Sequence, residues 1–141
     1  MTDNYKYKEL TDKIIKAFYK VYNKLGYGFL EKVYENAMAI ELRKMGLKCI
    51  QQAPIRVYYE GEEVGFFRAD LLVEDLVICE LKAAEVFCTA DEAQLTNYLR
   101  ATPIEVGLLF NFGRKPEFRR RVFTNEFKVE YQGNHNPSSS S

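Results

Sequence analysis

The sequence predicts an α/β sandwich, in which helices cover both faces of a central mixed β-sheet. Two helical segments come first, three strands follow, and a third helix separates the third strand from two further strands. Residues 104–112, IEVGLLFNF, form an unbroken apolar run that is typical of a central strand buried on both faces. Because crossovers between parallel strands are right-handed, the third helix should cross one face of the sheet.

The first two segments carry apolar residues at helical spacing. Residues 10–25 repeat such residues along one side and stop near Gly26, which predicts the first helix. Residues 30–45 repeat in the same way, and Gly46 follows as a stop signal. We expect these two helices to pack against each other.

An acid lies on the apolar side of the second predicted helix. Because a helix has about 3.6 residues per turn, one side carries the following residues, with Glu35 at its margin: Glu31, Tyr34, Met38, Leu42 and Met45. A carboxylate buried there needs a partner, which a metal site or a lysine would supply. The alternative is that Glu31 only favours the helix N-terminus through the helix dipole.

Short turns join the next three predicted strands. Residues 53–59 form the first strand, and a turn at residues 60–62 leads into the second strand at residues 63–74. A tight turn at residues 74–75 lays the second strand antiparallel to the third, at residues 76–83.

Two acids and a lysine fall on this predicted hairpin. Glu80 and Lys82 lie two apart in the third strand and share one face, and Asp70 would lie beside Glu80 across the hairpin. Such charges are costly to bury unless a divalent metal and a phosphodiester compensate them, and Mg²⁺ prefers carboxylate oxygens. The pattern predicts a metal-dependent nuclease site. The alternative is an exposed Glu80–Lys82 pair, with Asp70 only shaping a turn.

The third helix is predicted at residues 89–101, where Thr89 and Glu92 have capping-box spacing. Gln94 and Tyr98 are four residues apart and therefore share one side of this helix. Together they could bind phosphate oxygens or stack against a nucleotide. The alternative is that Tyr98 belongs to the core and Gln94 is its solvated neighbour.

Taken in order, these motifs resemble those of the PD-(D/E)xK nuclease superfamily. Asp70 followed by Glu80-x-Lys82 resembles its catalytic motif, and Gln94-x-x-x-Tyr98 resembles that of its RecB-like branch.

An N-terminal motif points to one group within that superfamily. Gly28-x-x-Glu31-x-x-Tyr34 resembles the signature of the GxxExxY protein family. The chain departs from the superfamily pattern at Ala69, which precedes Asp70 in place of proline.

The resemblance implies a fold, a cofactor and a role for each site residue. The fold would be a restriction-endonuclease-like α/β/α sandwich, and the cofactor would be Mg²⁺ or Mn²⁺. Asp70 and Glu80 would be metal ligands, and Lys82 would be the catalytic lysine. Glu31 would complete the metal shell or orient a water. The substrate contacts would come from the third helix: Gln94 and Tyr98.

Length and composition indicate one domain without excess charge. The chain has 141 residues, of which 47% are hydrophobic and 14% aromatic, enough for a single core. We expect one domain at residues 1–132 and a disordered polar tail at residues 133–141. Twenty basic and twenty acidic side chains give zero net charge, so any nucleic-acid contact must be local.

Basic residues gather after the fourth predicted strand. They are Arg114, Lys115, Arg119, Arg120 and Arg121. Such a run can bind phosphates, but a solvated charged face is its more common meaning and the one we favour. The last strand is expected beyond this run, at residues 122–131 on the sheet edge.

Cysteine and histidine usage argues against several other chemistries. Cys49, Cys79 and Cys88 show no C-x-x-C spacing, so we expect reduced, structural cysteines in a cytoplasmic protein. The single histidine, His135, lies in the polar tail, which disfavours histidine-based hydrolysis. Without an apolar leader or a run of membrane-spanning length, neither secretion nor membrane insertion is expected.

The sequence supports two hypotheses from different classes. The first is a hydrolase that cleaves phosphodiester bonds with a metal-activated water, with DNA as the expected substrate. The second is an inactive nuclease fold that binds nucleic acid or forms oligomers, in which the acids serve structure. A chain this small has little surface for sequence recognition, so a protein partner or self-association is a further hypothesis.

Overall fold

Hydrophobic periodicity sets the order of elements along residues 6–128, the part of the chain that the computed structural model describes. The order follows the prediction, with these bounds: α1 (Lys8–Leu25), α2 (Glu31–Lys44), β1 (Cys49–Tyr59), β2 (Glu62–Val73), β3 (Val77–Lys82), α3 (Thr89–Ala101), β4 (Val106–Phe112) and β5 (Pro116–Val122). A short 3-10 helix, Asn125–Phe127, follows β5. The predicted tail at residues 133–141, with His135, lies outside the described residues.

The strands form one mixed sheet in the order β1-β2-β3-β4-β5. β3 and β4 run parallel, whereas the other neighbouring strands run antiparallel. The parallel pair requires a crossover, which α3 supplies. The mixed sheet between helical layers confirms the predicted fold class. Within residues 6–128, no helix combines the length and apolar character needed to cross a membrane.

The two faces of the sheet carry separate cores because side chains alternate along each strand. On β3, Val77, Cys79 and Leu81 belong to the core that packs under α1 and α2. Ile78 points to the opposite face and joins the core under α3, with Leu95. β3 is thus buried on both faces, and β4 is buried along its whole length, as the apolar run at residues 104–112 predicts.

An aromatic cluster fastens α1 and α2 to the central strands. The Phe18 ring stacks on Phe110 at 4.5 Å and meets the edge of Phe112 at 4.8 Å. Tyr34 stacks on the same Phe112 ring at 4.2 Å. Phe18 and Tyr34 are fully buried, so this cluster fixes where both helices lie over the sheet.

The expected last strand at residues 122–131 is wrong over residues 123–128, and residues 129–131 lie outside the described part of the chain. β5 instead occupies Pro116–Val122 and begins opposite Phe112, the end of β4. An antiparallel partner needs only a short turn, so β5 starts at once after residues 113–115. Three consecutive arginines in β5 hide the strand signal, because they stand where the apolar alternation of a strand was expected.

The basic run forms the expected solvated face only in part, because Arg114 and Lys115 are exposed before β5 whereas the three arginines on β5 are half-buried. Arg120 points toward α1 and donates to the Thr11 hydroxyl at 3.1 Å. Arg119 and Arg121 point the other way and pair with Glu92 on α3. Alternation along the strand therefore divides the run between two faces and neutralises part of it.

The expected capping box at the start of α3 is also wrong, although the helix is present as predicted. Cys88 is the N-cap and has an extended backbone, so Thr89 is the first helical residue. No side chain caps this end, and Glu92 is taken up by the arginines of β5. Cys88 is exposed, whereas Cys49 and Cys79 are buried.

Candidate active site

The sheet opens where β2 separates from β3. The two strands pair only from Val73 and Val77 to Leu71 and Cys79. Beyond that point, β2 continues with β1 alone, as far as the turn between Tyr59 and Glu62. The ladder therefore breaks at the position where Asp70 and Glu80 would form the next pair.

Asp70 and Glu80 satisfy the backbone groups that the break leaves open. The Asp70 backbone N–H donates to Glu80 Oε2 at 2.8 Å, and the Leu81 N–H donates to Asp70 Oδ2 at 2.8 Å. An unpaired N–H in a buried strand is costly, so these two carboxylates replace the missing ladder bonds. The structure thus brings the two acids together, as the hairpin register predicts.

A kink in β1 accompanies the break. Gln52 has a φ of 55°, in the left-handed region that a non-glycine residue rarely adopts. On β2, Leu71 belongs to the core under α1 and α2, whereas Ala69 belongs to the core under α3. The two strands thus exchange faces at Gln52 and Asp70. We call the part beyond this point, residues 53–69, the β1–β2 arm.

The two acids lie in a crowded, poorly solvated place. Burial, followed by the nearby charge of Asp70, raises the pKa of Glu80 to about 8. Burial is also the main reason why the pKa of Asp70 is raised, and the charge of Glu35 adds to it. A pair with these properties favours a bound proton or a bound cation.

Lys82 lies on the same face of β3 as Glu80, toward α3. Its charge lowers the pKa values of both Asp70 and Glu80, although burial outweighs this effect. The Lys82 ammonium lies 3.7 Å from Asp91 Oδ1, in the first turn of α3. Lys82 therefore stands between the acid pair and a third carboxylate, and its side chain is 28% exposed.

Side chains also hold the chain just after Lys82. The Ala83 N–H donates to Glu31 Oε2 at 3.2 Å. The Asn111 amide accepts from the Ala84 N–H and donates to the Ala84 carbonyl, both at 2.9 Å. Asn111 is only 1% exposed, so a buried amide extends the sheet beyond β3 and positions Lys82.

The acids of α2 differ from our expectation. Glu31 is exposed, so its predicted burial in an apolar face is wrong. It is the first residue of α2, and the buried residues of this helix begin only at Tyr34. Glu35, one turn further, is the buried acid; it accepts from Gln51 at 2.8 Å and Gln52 at 2.7 Å.

The Gly28-x-x-Glu31-x-x-Tyr34 motif has a structural role. The Tyr34 hydroxyl donates to the Gly26 carbonyl at 2.6 Å and accepts from the Phe29 N–H at 3.2 Å. Gly28 has a φ of 113°, which only glycine adopts without strain. The motif therefore fixes the loop before α2, and this loop places the Glu31 carboxylate beside the Ala83 N–H at the end of β3.

Gln94 and Tyr98 lie beside the acid pair on the α3 face. Gln94 Nε2 donates to the Tyr98 hydroxyl at 2.9 Å, and Tyr98 is 6% exposed. Burial, followed by the charges of Glu80 and Asp70, raises the pKa of Tyr98 to about 12. Tyr98 thus packs in the core under α3 while its hydroxyl lies near the acids.

The acid pair fits a hard divalent cation that keeps most of its own water. Among residues 6–128, no three histidine, cysteine or acidic side chains come together as a ready ligand set. Mg²⁺ is commonly held by only one or two carboxylates, with waters and substrate phosphate as the other ligands. A cation between Asp70 and Glu80 would also relieve the repulsion that raises the pKa values of both acids.

Sequence reasoning placed Glu35 only at the margin of the apolar side of α2, and it missed three further polar residues of this region. Those three carried no sequence signal, since only the folded sheet brings them near the acids: Gln52, Asp91 and Asn111.

Comparisons with known proteins identify the fold and the family of this chain. A family model described as the PD-(D/E)XK nuclease superfamily matches residues 8–122. No curated protein matches the chain. The crystal structure of SSO0001 has a similar fold, with a TM-score of 0.52 and 12% sequence identity over 78% of this chain. The chain spans 58% of the length of that protein. Since the family match covers most of the sequence, the chain belongs to the PD-(D/E)XK nuclease superfamily.

Proposed function

We propose that the protein is a nuclease that hydrolyses phosphodiester bonds of DNA with Mg²⁺ or Mn²⁺ as cofactor. Membership of the superfamily indicates nuclease activity. The observation that carries the proposal is the pair of carboxylates that meet at the break in the sheet, the half-buried Asp70 and the buried Glu80, whose pKa rises to about 8. The Gln94-x-x-x-Tyr98 and Gly28-x-x-Glu31-x-x-Tyr34 motifs support a place in the RecB-like and GxxExxY groups.

Asp70 and Glu80 would hold the metal ion. Each carboxylate uses one oxygen for a backbone N–H, and the second oxygen keeps lone pairs for a cation. Glu31 accepts from the Ala83 N–H just after β3, and it would complete the metal shell or orient a water. A bound divalent ion would lower the pKa of a water and polarise the phosphoryl group.

Lys82 would act on the reacting water and phosphate. Its ammonium shares a face with Glu80 and is partly exposed, so it can approach an incoming phosphodiester. There it would orient the water and offset the negative charge that develops on the phosphoryl oxygens. Asp91, at 3.7 Å, would limit the positions that this ammonium adopts.

Gln94 and Tyr98 would contact the substrate from α3. The Gln94 amide donates a hydrogen bond to the Tyr98 hydroxyl, and the charges of Glu80 and Asp70 help to raise the pKa of that hydroxyl. A phosphate bound near Asp70 would therefore lie within the range of these two polar groups.

One observation favours the alternative, an inactive nuclease fold. Both acids already serve structure, because they satisfy the Asp70 and Leu81 backbone N–H groups. On this hypothesis the protein binds nucleic acid or self-associates without cleaving. It predicts no saturable Mn²⁺ binding by calorimetry, whereas the nuclease proposal predicts binding that Asp70→Asn abolishes.

Cleavage of DNA by the purified protein tests the proposal. We expect cleavage only with Mg²⁺ or Mn²⁺, and a loss of at least about 100-fold in rate for Lys82→Met. Lys44→Met, at the exposed end of α2, is the matched control and should keep full activity. Circular dichroism should show the same fold for both variants. Metal-independent cleavage, or full activity of Lys82→Met, would refute the proposal.

A further inference from the structure

The β1–β2 arm carries two arginines on one aromatic ring. Arg56 lies 4.7 Å from the centroid of the Phe66 ring, and Arg68 lies 5.1 Å from the same centroid. The two guanidinium carbons are therefore within about 10 Å of each other, which is the most that these distances allow. Stacking on the ring orients both cations without consuming their N–H donors.

These three residues form one exposed face. Ala69 and Phe67 point toward α3, where the Phe67 ring lies 5.9 Å from that of Tyr98. Alternation sends Phe66 and Arg68 to the opposite face of the arm. Arg56 pairs with Phe66 across the two strands and so shares that face. Both arginines are exposed, and Phe66 is 40% exposed. We call this surface the Arg–Phe–Arg face.

The Arg–Phe–Arg face adjoins the candidate active site. Arg68 is two residues from Asp70 and donates to the Gln52 carbonyl at 3.2 Å. The Gln52 side chain in turn lies 3.4 Å from Asp70 Oδ1. The Arg–Phe–Arg face is therefore linked to the acid pair through Gln52 but lies on the side of the arm opposite α3, so an elongated substrate bound at the acid pair would reach it around the edge of the arm.

Charge also favours an anionic ligand on this face. The chain has zero net charge, and its candidate site is acidic, so a phosphate backbone needs cations close by. On β5, Arg119 and Arg121 are not freely available for this, because both pair with Glu92. On the arm, Arg56 has one exposed partner, Glu63 at 3.1 Å, and an exposed ion pair of this kind contributes little.

We propose that the Arg–Phe–Arg face binds the phosphate backbone of the nucleic acid whose phosphodiester enters the candidate active site. This inference rests on the proposed function, because it assigns the next stretch of the same substrate to the arm. Arg56 and Arg68 contact neighbouring phosphates, and Phe66 holds their guanidinium groups in place. These contacts set affinity rather than base sequence.

Binding of a short labelled DNA, as a single strand and as a duplex, tests the inference. Fluorescence anisotropy with Ca²⁺ in place of Mg²⁺ would report affinity without cleavage. We expect Arg56→Gln and Arg68→Gln each to weaken binding of the preferred form roughly tenfold, and to reduce the salt slope by about one. Arg68→Lys should keep the salt slope, because it keeps the charge.

The matched control is Arg100→Gln. Arg100 is exposed on α3 and also lies over an aromatic ring, 5.2 Å from the centroid of Phe123. This variant loses the same charge and the same type of contact away from the arm, so it should bind DNA like the wild type. Thermal melting would show whether each variant is folded as well as the wild type.

Several outcomes would overturn the inference. Wild-type affinity in both arm variants would do so, as would no DNA binding by the wild type. Displacement of DNA by polyglutamate as effectively as by unlabelled DNA would indicate an acidic protein partner instead. Metal-dependent cleavage with unchanged affinity in the arm variants would refute the inference and leave the proposed function intact. Binding that depends on Arg56 and Arg68 but is not followed by cleavage would support the inference and refute the proposed nuclease activity.

Discussion

The two halves of the β2–β3 hairpin are held together by different forces. In the closed half, Val73 to Leu71 pair with Val77 to Cys79, and the side chains are largely buried and apolar. In the open half, the carboxylates of Asp70 and Glu80 replace the ladder, and the amide of Asn111 on β4 holds the chain just after β3. Packing thus stabilises one half, and polar side chains stabilise the other.

This difference shows how a small fold supports a charged site. Backbone N–H groups at the end of a sheet must find partners, and here the candidate metal ligands are those partners. The same groups therefore serve the fold and the proposed chemistry. It follows that changes in the closed half should act the same way at every pH, whereas changes in the open half should depend on pH and metal.

The largest effect is expected in the apolar core that packs beside the closed half. Leu108 on β4 pairs with Cys79 and is fully buried. Leu108→Ala should lower the free energy of unfolding by about 4 kcal/mol, because it removes apolar contacts and leaves a cavity. Urea denaturation at pH 5 and pH 8 should give the same loss. Leu30→Ala, at an 81% exposed leucine, should change stability by less than about 0.5 kcal/mol.

A loss at Leu108 that changes markedly between the two pH values would break the comparison. It would mean that packing in the closed half depends on the charges of the open half.

The next effect concerns the pH dependence of the open half without metal. The pKa of Glu80 is raised from 4.5 to about 8 in the folded protein, so the folded state holds a proton that the unfolded state has lost. Stability should therefore be highest below about pH 4.5 as far as Glu80 is concerned, and should fall by about 4 kcal/mol as the pH rises to about 8. Denaturation across this range would measure the fall.

Glu80→Gln is the control for this titration. Its amide oxygen can still accept from the Asp70 N–H, but it carries no charge, so the fall with pH should become much shallower. Added Mg²⁺ should stabilise the wild type most at pH 8 and should have little effect on the variant. An equally steep fall in Glu80→Gln would contradict this assignment.

The smallest effect on stability is expected at the end of β3. Asn111→Ala removes two hydrogen bonds to Ala84, and because Ala84 is exposed, water can replace them in part. The free energy of unfolding should fall by about 1–2 kcal/mol. Cleavage should fall more than about tenfold, since Lys82 loses its fixed position.

Asn97→Ala, at an exposed position of α3, is the matched control and should change neither stability nor cleavage. If Asn111→Ala lowers stability but leaves the cleavage rate intact, Asn111 does not position Lys82.

Much of the site follows from local rules of the sequence. Period-two alternation puts Glu80 and Lys82 on one face, and a tight turn at residues 74–75 sets the register that brings Asp70 to Glu80. Helical spacing puts Gln94 beside Tyr98, and their side chains are bonded in the structure. These rules act over a few residues, which is why a sequence pattern can reveal them.

The errors arose where distant segments compete for the same side chain. The buried part of α2 begins one turn after its start, so Glu35 is buried whereas Glu31 is exposed. Glu92 pairs with the arginines of β5 instead of capping α3. Three consecutive arginines obscure the apolar alternation by which β5 could be recognised, and the position of β5 follows from its pairing with β4.

The sequence by itself determined the order of the elements, the hairpin register and the residues that share a strand face or a helix side, because these depend on local periodicity. The tertiary structure alone decided where the ladder breaks, how the β1–β2 arm turns at Gln52, and which polar side chains surround the acids. Those features depend on contacts between residues far apart in the chain, such as Gln52 with Asp70 and Asn111 with Ala84. Once these residues have come together, burial and the charge of Asp70 raise the pKa of Glu80.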